Sequence, residues 1–255
     1  TCQMWKKTYP VVQPEHLLPD DTKEANVYAL VQELSSRLKE NQITVSGNGS
    51  ACVAGGHAYI IKKGQRFISN SAVASMGYDL PAAIGACVAA LEGGDFAEDI
   101  ILLTGDGSIQ MNLQELQTII HHRMPIKIFL INNGGYHSIR QTQKNFFGEP
   151  LVGIGVDSGD LSFPDMGKLS RAYGYPYISA RHNSQLAGAI EETLAIKGPA
   201  ICEIFVTVDQ NFEPKSSAKR MPDGTLTSPP LEDLSPFLPE EEMDANMIIP
   251  RIKEG

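Results

Sequence analysis

The chain has 255 residues, 42% of them hydrophobic, and its 30 acidic against 21 basic side chains give a formal net charge of −9. That length is ample for one large domain with its own core, and the composition is that of an ordinary globular protein. The negative balance argues against nucleic acid as a partner, and no apolar run reaches the length of a membrane span. The chain opens at Thr1 instead of Met, which reads as a fragment or processed product. Cys2, Cys52, Cys87 and Cys202 are scattered and form no CxxC or Cys/His ligand spacing, so the expected setting is reducing and cytoplasmic.

Residues 1–20 hold Trp5, Lys6, Lys7 and three prolines with little periodicity, and are expected to be an extended linker from a missing upstream region. Asp20 or Asp21 can cap a helix running to about Glu40, with Val27, Leu30, Val31, Leu34 and Leu38 on one face. Ile43–Val45 reads as a short strand, and Ser46-Gly47-Asn48-Gly49-Ser50 opens another helix through about Ile60. A dinucleotide fingerprint fails there, because Cys52 stands at the third glycine position and no acidic residue follows about 20 positions on. The better reading is a phosphate contact at a helix N-terminus, through Gly49 and the Ser50 hydroxyl. Arg66–Ser69 is a predicted strand. Gly77 to Leu91 is a predicted helix of small residues with Pro81 in its first turn, expected to lie close against the sheet or a partner subunit.

The stretch from Ile100 to Arg140 carries the chemistry. Ile100–Leu103 and Ile126–Ile131 are apolar runs ending in Gly105-Asp106-Gly107-Ser108 and Asn132-Asn133-Gly134-Gly135, with helical spacing over Asn112–His122 between them. This is a βαβ unit, whose parallel strands deliver both polar loops to one edge of the sheet. A hairpin at Asn133-Gly134 is the competing reading, but Ile126–Ile131 does not alternate, and helical spacing follows Gly135. An Asp carboxylate, an Asn carbonyl oxygen and backbone oxygens form a hard site suited to Mg²⁺ with a diphosphate. Gly105 and Gly107 let the backbone approach phosphate, and Ser108 adds a donor. His121 and His122 are explained as cations at a helix C-terminus.

Downstream, Tyr136–Phe147, Phe163–Tyr173 and Ser184–Ile196 are predicted helices, Tyr177–Ser179 and Ala200–Val206 strands, and Leu151–Leu161 a mobile loop. Alternating strands and helices predict a three-layer α/β/α fold, a mostly parallel sheet with helices on both faces. The boundaries expected are linker 1–20, diphosphate- and Mg²⁺-binding domain 21–210, and Pro-rich acidic tail 211–255. That tail, with Pro214, Pro222, Pro229, Pro230, Pro236 and Pro239, is expected to wrap a neighbouring domain or subunit.

Gly-Asp-Gly followed about thirty residues on by Asn-Asn resembles the signature of thiamine diphosphate enzymes. Ser75-Met76-Gly77-Tyr78-Asp79-Leu80-Pro81-Ala82-Ala83-Ile84-Gly85-Ala86 and segment 105–143 resemble the C-terminal, diphosphate-binding domain of acetolactate synthase large subunits, over about Trp5 to Asp209. The resemblance implies Mg²⁺ ligands at Asp106, Asn133 and the Gly135 carbonyl. It places Gly105, Gly107 and Ser108 near phosphate. Tyr136 and His137 follow Gly135 beside the predicted metal and are expected to contact the cofactor, with substrate contact or a helix cap as the other readings of His137. Met76 would prop the cofactor in its bent shape, and the Ala74 carbonyl would accept from its 4′-amine. Many acetolactate synthases carry Gln and His where this chain has Ser50 and Ala51. The activating Glu of the resembling enzymes sits on a pyrimidine-binding domain absent here, usually of another subunit, so no catalytic residue is expected in this chain, and FAD would belong only to a missing domain. The implied activity is decarboxylation of pyruvate or another 2-oxo acid with carboligation, by a homo-oligomeric transferase or lyase. The alternatives are another thiamine diphosphate-dependent decarboxylase, a sugar- or polysaccharide-pathway enzyme, and a cofactor-binding module inactive on its own.

Overall fold

The computed structural model describes residues 1–93, 99–221 and 223–251. Pro222, one of the tail prolines, and the last four positions of the expected tail lie outside the described residues. The chain divides into two compact units, Thr1–Gln210 and Asn211 onward.

The first unit is built on a six-stranded sheet in the order β2-β1-β3-β4-β6-β5, every neighbouring pair parallel. The strands are β1 (Ile43–Ser46), β2 (Arg66–Ser69), β3 (Ile100–Gly105), β4 (Ile126–Asn132), β5 (Tyr177–Ala180) and β6 (Ala200–Phe205). In β3, β4 and β6 nearly every residue is buried, because helices cover both sides. Ile101, Leu103, Phe129, Ile131, Cys202 and Ile204 face one way. They pack on α2 (Val27–Arg37), α3 (Ser50–Ala58) and α9 (Asn183–Ala195). Ile100, Leu102, Ile128, Leu130 and Ile201 face the other way, onto α4 (Asp79–Gly93), α6 (Glu115–His121) and α8 (Met166–Tyr173). The period of two in side-chain direction thus makes one sheet the middle layer of three, as the alternating pattern predicts.

Four expectations are corrected. Residues 1–20 are not extended throughout: α1 (Cys2–Thr8) is helical, and Pro14–Leu17 forms a 3₁₀ turn. Helix α2 starts later than predicted, because Asn26 is its cap, accepting from Tyr28 N at 2.8 Å and Ala29 N at 3.4 Å, while Asp20 spends its carboxylate on Thr22. The Gly-Asp-Gly-Ser segment is not a loop but a helical turn, α5 (Asp106–Ile109), entered directly from β3. The segment 151–161, expected to be mobile, is tied down at several points. Gly155 bridges Gly135, Ile154 is fully buried, and Asp157 pairs with Arg140 of α7 (His137–Phe146).

In the second unit, β7 (Lys219–Arg220) and β8 (Leu226–Thr227) form an antiparallel pair, and α10 (Glu240–Asn246) follows. Lys219 Nζ lies 3.6 Å from the Asp233 carboxylate and over the Phe237 ring at 5.0 Å. Among the described residues no helix is long and apolar enough to cross a membrane.

Candidate cofactor site

The order of the strands reverses at β1 and β3, the place where open parallel sheets leave a crevice outside their carboxyl edge. A cleft of about 490 Å³ opens there. Asn48, Gly49 and Ser50 line it from the end of β1, residues 105–108 from the end of β3, and Asn133 with residues 135–139 from the end of β4; Met76 completes the wall. Of the residues singled out from sequence, Gly49, Ser50, Met76, Gly105, Asp106, Gly107, Ser108, Asn133, Gly135, Tyr136 and His137 all line this cleft. Ala74 does not; it is an exposed residue in the left-handed region at φ 54°.

Register explains why Asp106 and Asn133 meet. Gly105 pairs with Ile131, so the chain leaves β3 and β4 at nearly the same level. Asp106 is 3% exposed. Its Oδ1 accepts from Gly107 N at 2.7 Å, and its Oδ2 accepts from Gly135 N at 3.0 Å. Burial raises its pKa to about 6, against the opposing pull of these backbone N–H groups. Asn133 is oriented from the other side of the cleft, its Nδ2 donating to Ser50 Oγ at 2.9 Å. That bond turns Oδ1 the other way, and Oδ1 is a buried oxygen with no hydrogen-bond partner. A buried acceptor left unpaired costs about 1–3 kcal/mol, so an electropositive ligand at that point would recover it. One carboxylate, one orphaned amide oxygen and backbone carbonyls fit a hard cation that completes its shell elsewhere. Among the described residues no group of three His, Cys, Asp or Glu side chains converges on a metal position.

The neighbouring residues shape the cleft. Ser108 Oγ accepts from Gly77 N at 3.0 Å, so its proton is directed elsewhere. A Cβ on Gly107 would stand 2.4 Å from Cε1 of Tyr136, so this glycine makes room for an aromatic ring as well as for any approaching ligand. Tyr136 in turn meets Phe163 edge to face, with centroids 5.8 Å apart. At Gly105 nothing lies within 4 Å of the point where a Cβ would stand, and the backbone is open to the cleft. His137 lines the cleft, yet its ring nitrogens are engaged: Nε2 with Gln210 O at 2.9 Å, and Nδ1 with Arg140 at 3.3 Å. Burial lowers its pKa, so the ring is neutral at pH 7, with Nε2–H toward the carbonyl and Nδ1 accepting from the guanidinium. Arg140 is itself 1% exposed and holds Asp157 in a bidentate pair, 2.8 Å at each contact.

Sequence reasoning missed Asn48, Ser138 and Ile139 in the lining, and the role of Ser50 in turning Asn133. It also missed Arg140–Asp157, because a loop carboxylate pairing with a helix residue leaves no local signature. Ser50→Ala is expected to free the Asn133 amide to rotate and to weaken any Mg²⁺-dependent binding in the cleft about tenfold, the usual scale for an outer-shell orienting residue. Titration calorimetry against the unsubstituted chain measures it, and unchanged affinity would mean that Ser50 does not orient Asn133.

A family model described as thiamine pyrophosphate enzyme, C-terminal TPP binding domain, matches residues 47–204. The acetolactate synthase large subunit of Cyanidium caldarium is 32% identical over 210 residues, 82% of this chain and 33% of that protein. Acetolactate synthase 1, chloroplastic, of Nicotiana tabacum is 30% identical over 187 residues, 72% of this chain and 27% of that protein. The acetolactate synthase isozyme 2 large subunit of Escherichia coli (strain K12) is 28% identical over 233 residues, 91% and 40% of the two chains. The chain therefore spans roughly a third of the length of the curated relatives it matches. With the family model covering more than half of its residues, and those residues supplying most of the sheet and the lining of the cleft, the chain belongs to the thiamine pyrophosphate enzymes, as their C-terminal TPP-binding domain.

Proposed function

We propose that this chain is the Mg²⁺- and diphosphate-binding part of an acetolactate-synthase-like enzyme that decarboxylates pyruvate or another 2-oxo acid and joins the product to a second carbonyl compound. The observation that carries the reading is the orphaned Asn133 Oδ1 beside the buried Asp106 carboxylate at the sheet's switch point. Asp106, Asn133 Oδ1 and the Gly135 carbonyl would hold Mg²⁺, Asp106 supplying the charge. The N-terminus of α3 and the hydroxyls of Ser50 and Ser108 would face the diphosphate. Met76 would support the bend of the cofactor, the Ala74 carbonyl would accept from its aminopyrimidine, and Tyr136 and Ile139 would keep water from the diphosphate end. When bound, the cofactor supplies a carbanion nucleophile and an electron sink for decarboxylation. The carboxylate that activates it would come from a pyrimidine-binding domain, in a homo-oligomer of the full protein.

Calorimetric titration of thiamine diphosphate into the chain tests this, first with Mg²⁺ and then with EDTA. Binding in Mg²⁺ that EDTA removes is the expected result. Binding indifferent to EDTA would overturn the metal-bridged site.

A second reading has its own support. Ala51 is fully buried in the core and Ser50 Oγ accepts from Asn133, so these two positions present different chemistry from the Gln and His that many acetolactate synthases carry there. That favours another thiamine diphosphate-dependent decarboxylase or a sugar-pathway enzyme, and product analysis of the full protein with pyruvate separates the two.

A further inference from the structure

Glu203 lies in the middle of β6 at 3% exposure, outside the lining of the cleft. Its Oε1 accepts from Asn132 Nδ2 at 2.7 Å, and its Oε2 accepts from the Tyr177 hydroxyl. β4 and β6 pair with Leu130 opposite Glu203 and Asn132 opposite Phe205, so the glutamate reaches diagonally to the last residue of β4. Asn132 Oδ1 in turn accepts from Gly134 N at 3.0 Å, an Asx turn that starts the loop carrying Asn133 and Gly135.

An asparagine amide has a donor end and an acceptor end of nearly equal size, and its surroundings decide which way it points. Glu203 Oε1 takes the Nδ2 end of Asn132, which leaves Oδ1 turned toward Gly134 N. Burial and the adjoining carboxylate hold the Tyr177 phenol above its usual pKa, which keeps it a donor to Glu203. The Gly134–Gly135 segment has φ of 65° and 147° and no side chains to restrain it. The bonds that hold it include Gly134 N to Asn132, Gly134 O from Val156 N at 3.1 Å and from Arg140 Nη2 at 3.4 Å, and Gly135 N to Asp106.

We propose that Glu203 is a positioning residue for the metal-binding loop: it sets the direction of the Asn132 amide, and Asn132 sets the Gly134–Gly135 backbone on which the Mg²⁺ ligands are carried. This rests on the reading of Asp106, Asn133 and Gly135 as those ligands. A methionine at position 203 would fill similar space, but it offers Asn132 Nδ2 no oxygen acceptor.

The test compares Glu203→Met, Glu203→Gln, Tyr177→Phe, Asn132→Ala and the double variant Asn132→Ala/Glu203→Met. Two readouts are taken: hydrogen exchange at the Gly134 amide without ligand, and the Mg²⁺ concentration needed for thiamine diphosphate binding by calorimetry. In Glu203→Met, exchange at Gly134 is expected to accelerate beyond that of the β4 amides, and the Mg²⁺ requirement to rise about tenfold, the scale for outer-shell partners of metal ligands. Glu203→Gln, which can still accept from Asn132, keeps both near the unsubstituted values. Tyr177→Phe lowers stability without moving either readout, which separates positioning from general loosening of the fold. In the Asn132→Ala background Glu203→Met adds no further loss. Unchanged Gly134 exchange and Mg²⁺ dependence in Glu203→Met, or losses that add in full in the double variant, would overturn the relay alone. Absence of Mg²⁺-dependent binding in the unsubstituted chain would overturn the metal reading, and the role of Glu203 with it.

Discussion

Asp106→Asn is expected to abolish Mg²⁺-dependent binding of thiamine diphosphate and, in the same chain without ligands, to raise stability at pH 7. Both effects come from one buried carboxylate. Its pKa is raised from 3.8 to about 6, with burial as the main cause. A group whose folded pKa lies above its unfolded value favours the folded state fully below pH 4, and that contribution is lost as pH rises through 6. The displacement corresponds to about 3 kcal/mol of destabilisation at pH 7 relative to the neutral form. Asparagine cannot ionise and escapes that cost. It does forfeit one of two acceptors, since its NH₂ must face either Gly107 N or Gly135 N, which costs about 1 kcal/mol or more. The net expectation is a gain of about 1–2 kcal/mol at pH 7 that vanishes by pH 4, read from urea midpoints in EDTA. With Mg²⁺ and thiamine diphosphate at about a hundred times their dissociation constant the order inverts, because only the unsubstituted chain gains the roughly 2.7 kcal/mol of ligand linkage. A variant no more stable than the parent in EDTA at pH 7 would mean that the carboxylate is not strained by burial. A variant still stabilised by the ligands would mean that Asp106 does not hold the metal.

The same residue shows what was legible in the chain and what was not. Ile100–Leu103 and Ile126–Ile131 are apolar without alternation, and this alone announces buried parallel strands whose ends share an edge. Hence the three-layer fold, the sheet strands and the convergence of Asp106 with Asn133 all follow from sequence pattern. Boundaries follow less well. The expected caps Asp20 and Asp21 lie six and five residues ahead of Asn26, the residue that caps α2, and a helix boundary is the feature sequence pattern fixes least well. Glycine-rich stretches mislead in a particular way. Segment 151–161 looks mobile because it is rich in Gly and Asp, yet Gly153 and Gly155 serve a loop fixed by Asp157, Ile154 and Ser158. Long-range partners such as Glu203 for Asn132, or Ser50 for Asn133, are invisible to spacing because 71 and 83 positions separate them. The gathering of the site residues at one sheet edge was thus readable, while the groups that orient them were not.

The glycine at position 135 is where loop and site are most tightly joined, and Gly135→Ala is expected to be the most disruptive small substitution in the cleft. Its φ of 147° is one that L side chains rarely adopt. An added Cβ would stand 2.0 Å from the carbonyl oxygen of Ile154 and 2.8 Å from the Cα of Gly155, both backbone atoms with no rotamer to yield. Relief requires parting the two segments, which breaks Tyr136 N to Ile154 O at 2.7 Å and Val156 N to Gly134 O at 3.1 Å. Two backbone bonds at about 1 kcal/mol each, with about 1–3 kcal/mol of backbone strain, give a loss of roughly 3–5 kcal/mol. The shift also withdraws Gly135 N from Asp106, so thiamine diphosphate binding should fall together with stability. Gly134→Ala is the internal control. Its φ of 65° is left-handed too, but nothing lies within 4 Å of its Cβ position, so only the conformational cost of about 1–2 kcal/mol applies. Chemical denaturation of both variants decides the matter: a Gly135→Ala loss well beyond that of Gly134→Ala shows that the pairing with Gly155 demands the glycine, and equal losses would reduce it to backbone conformation alone.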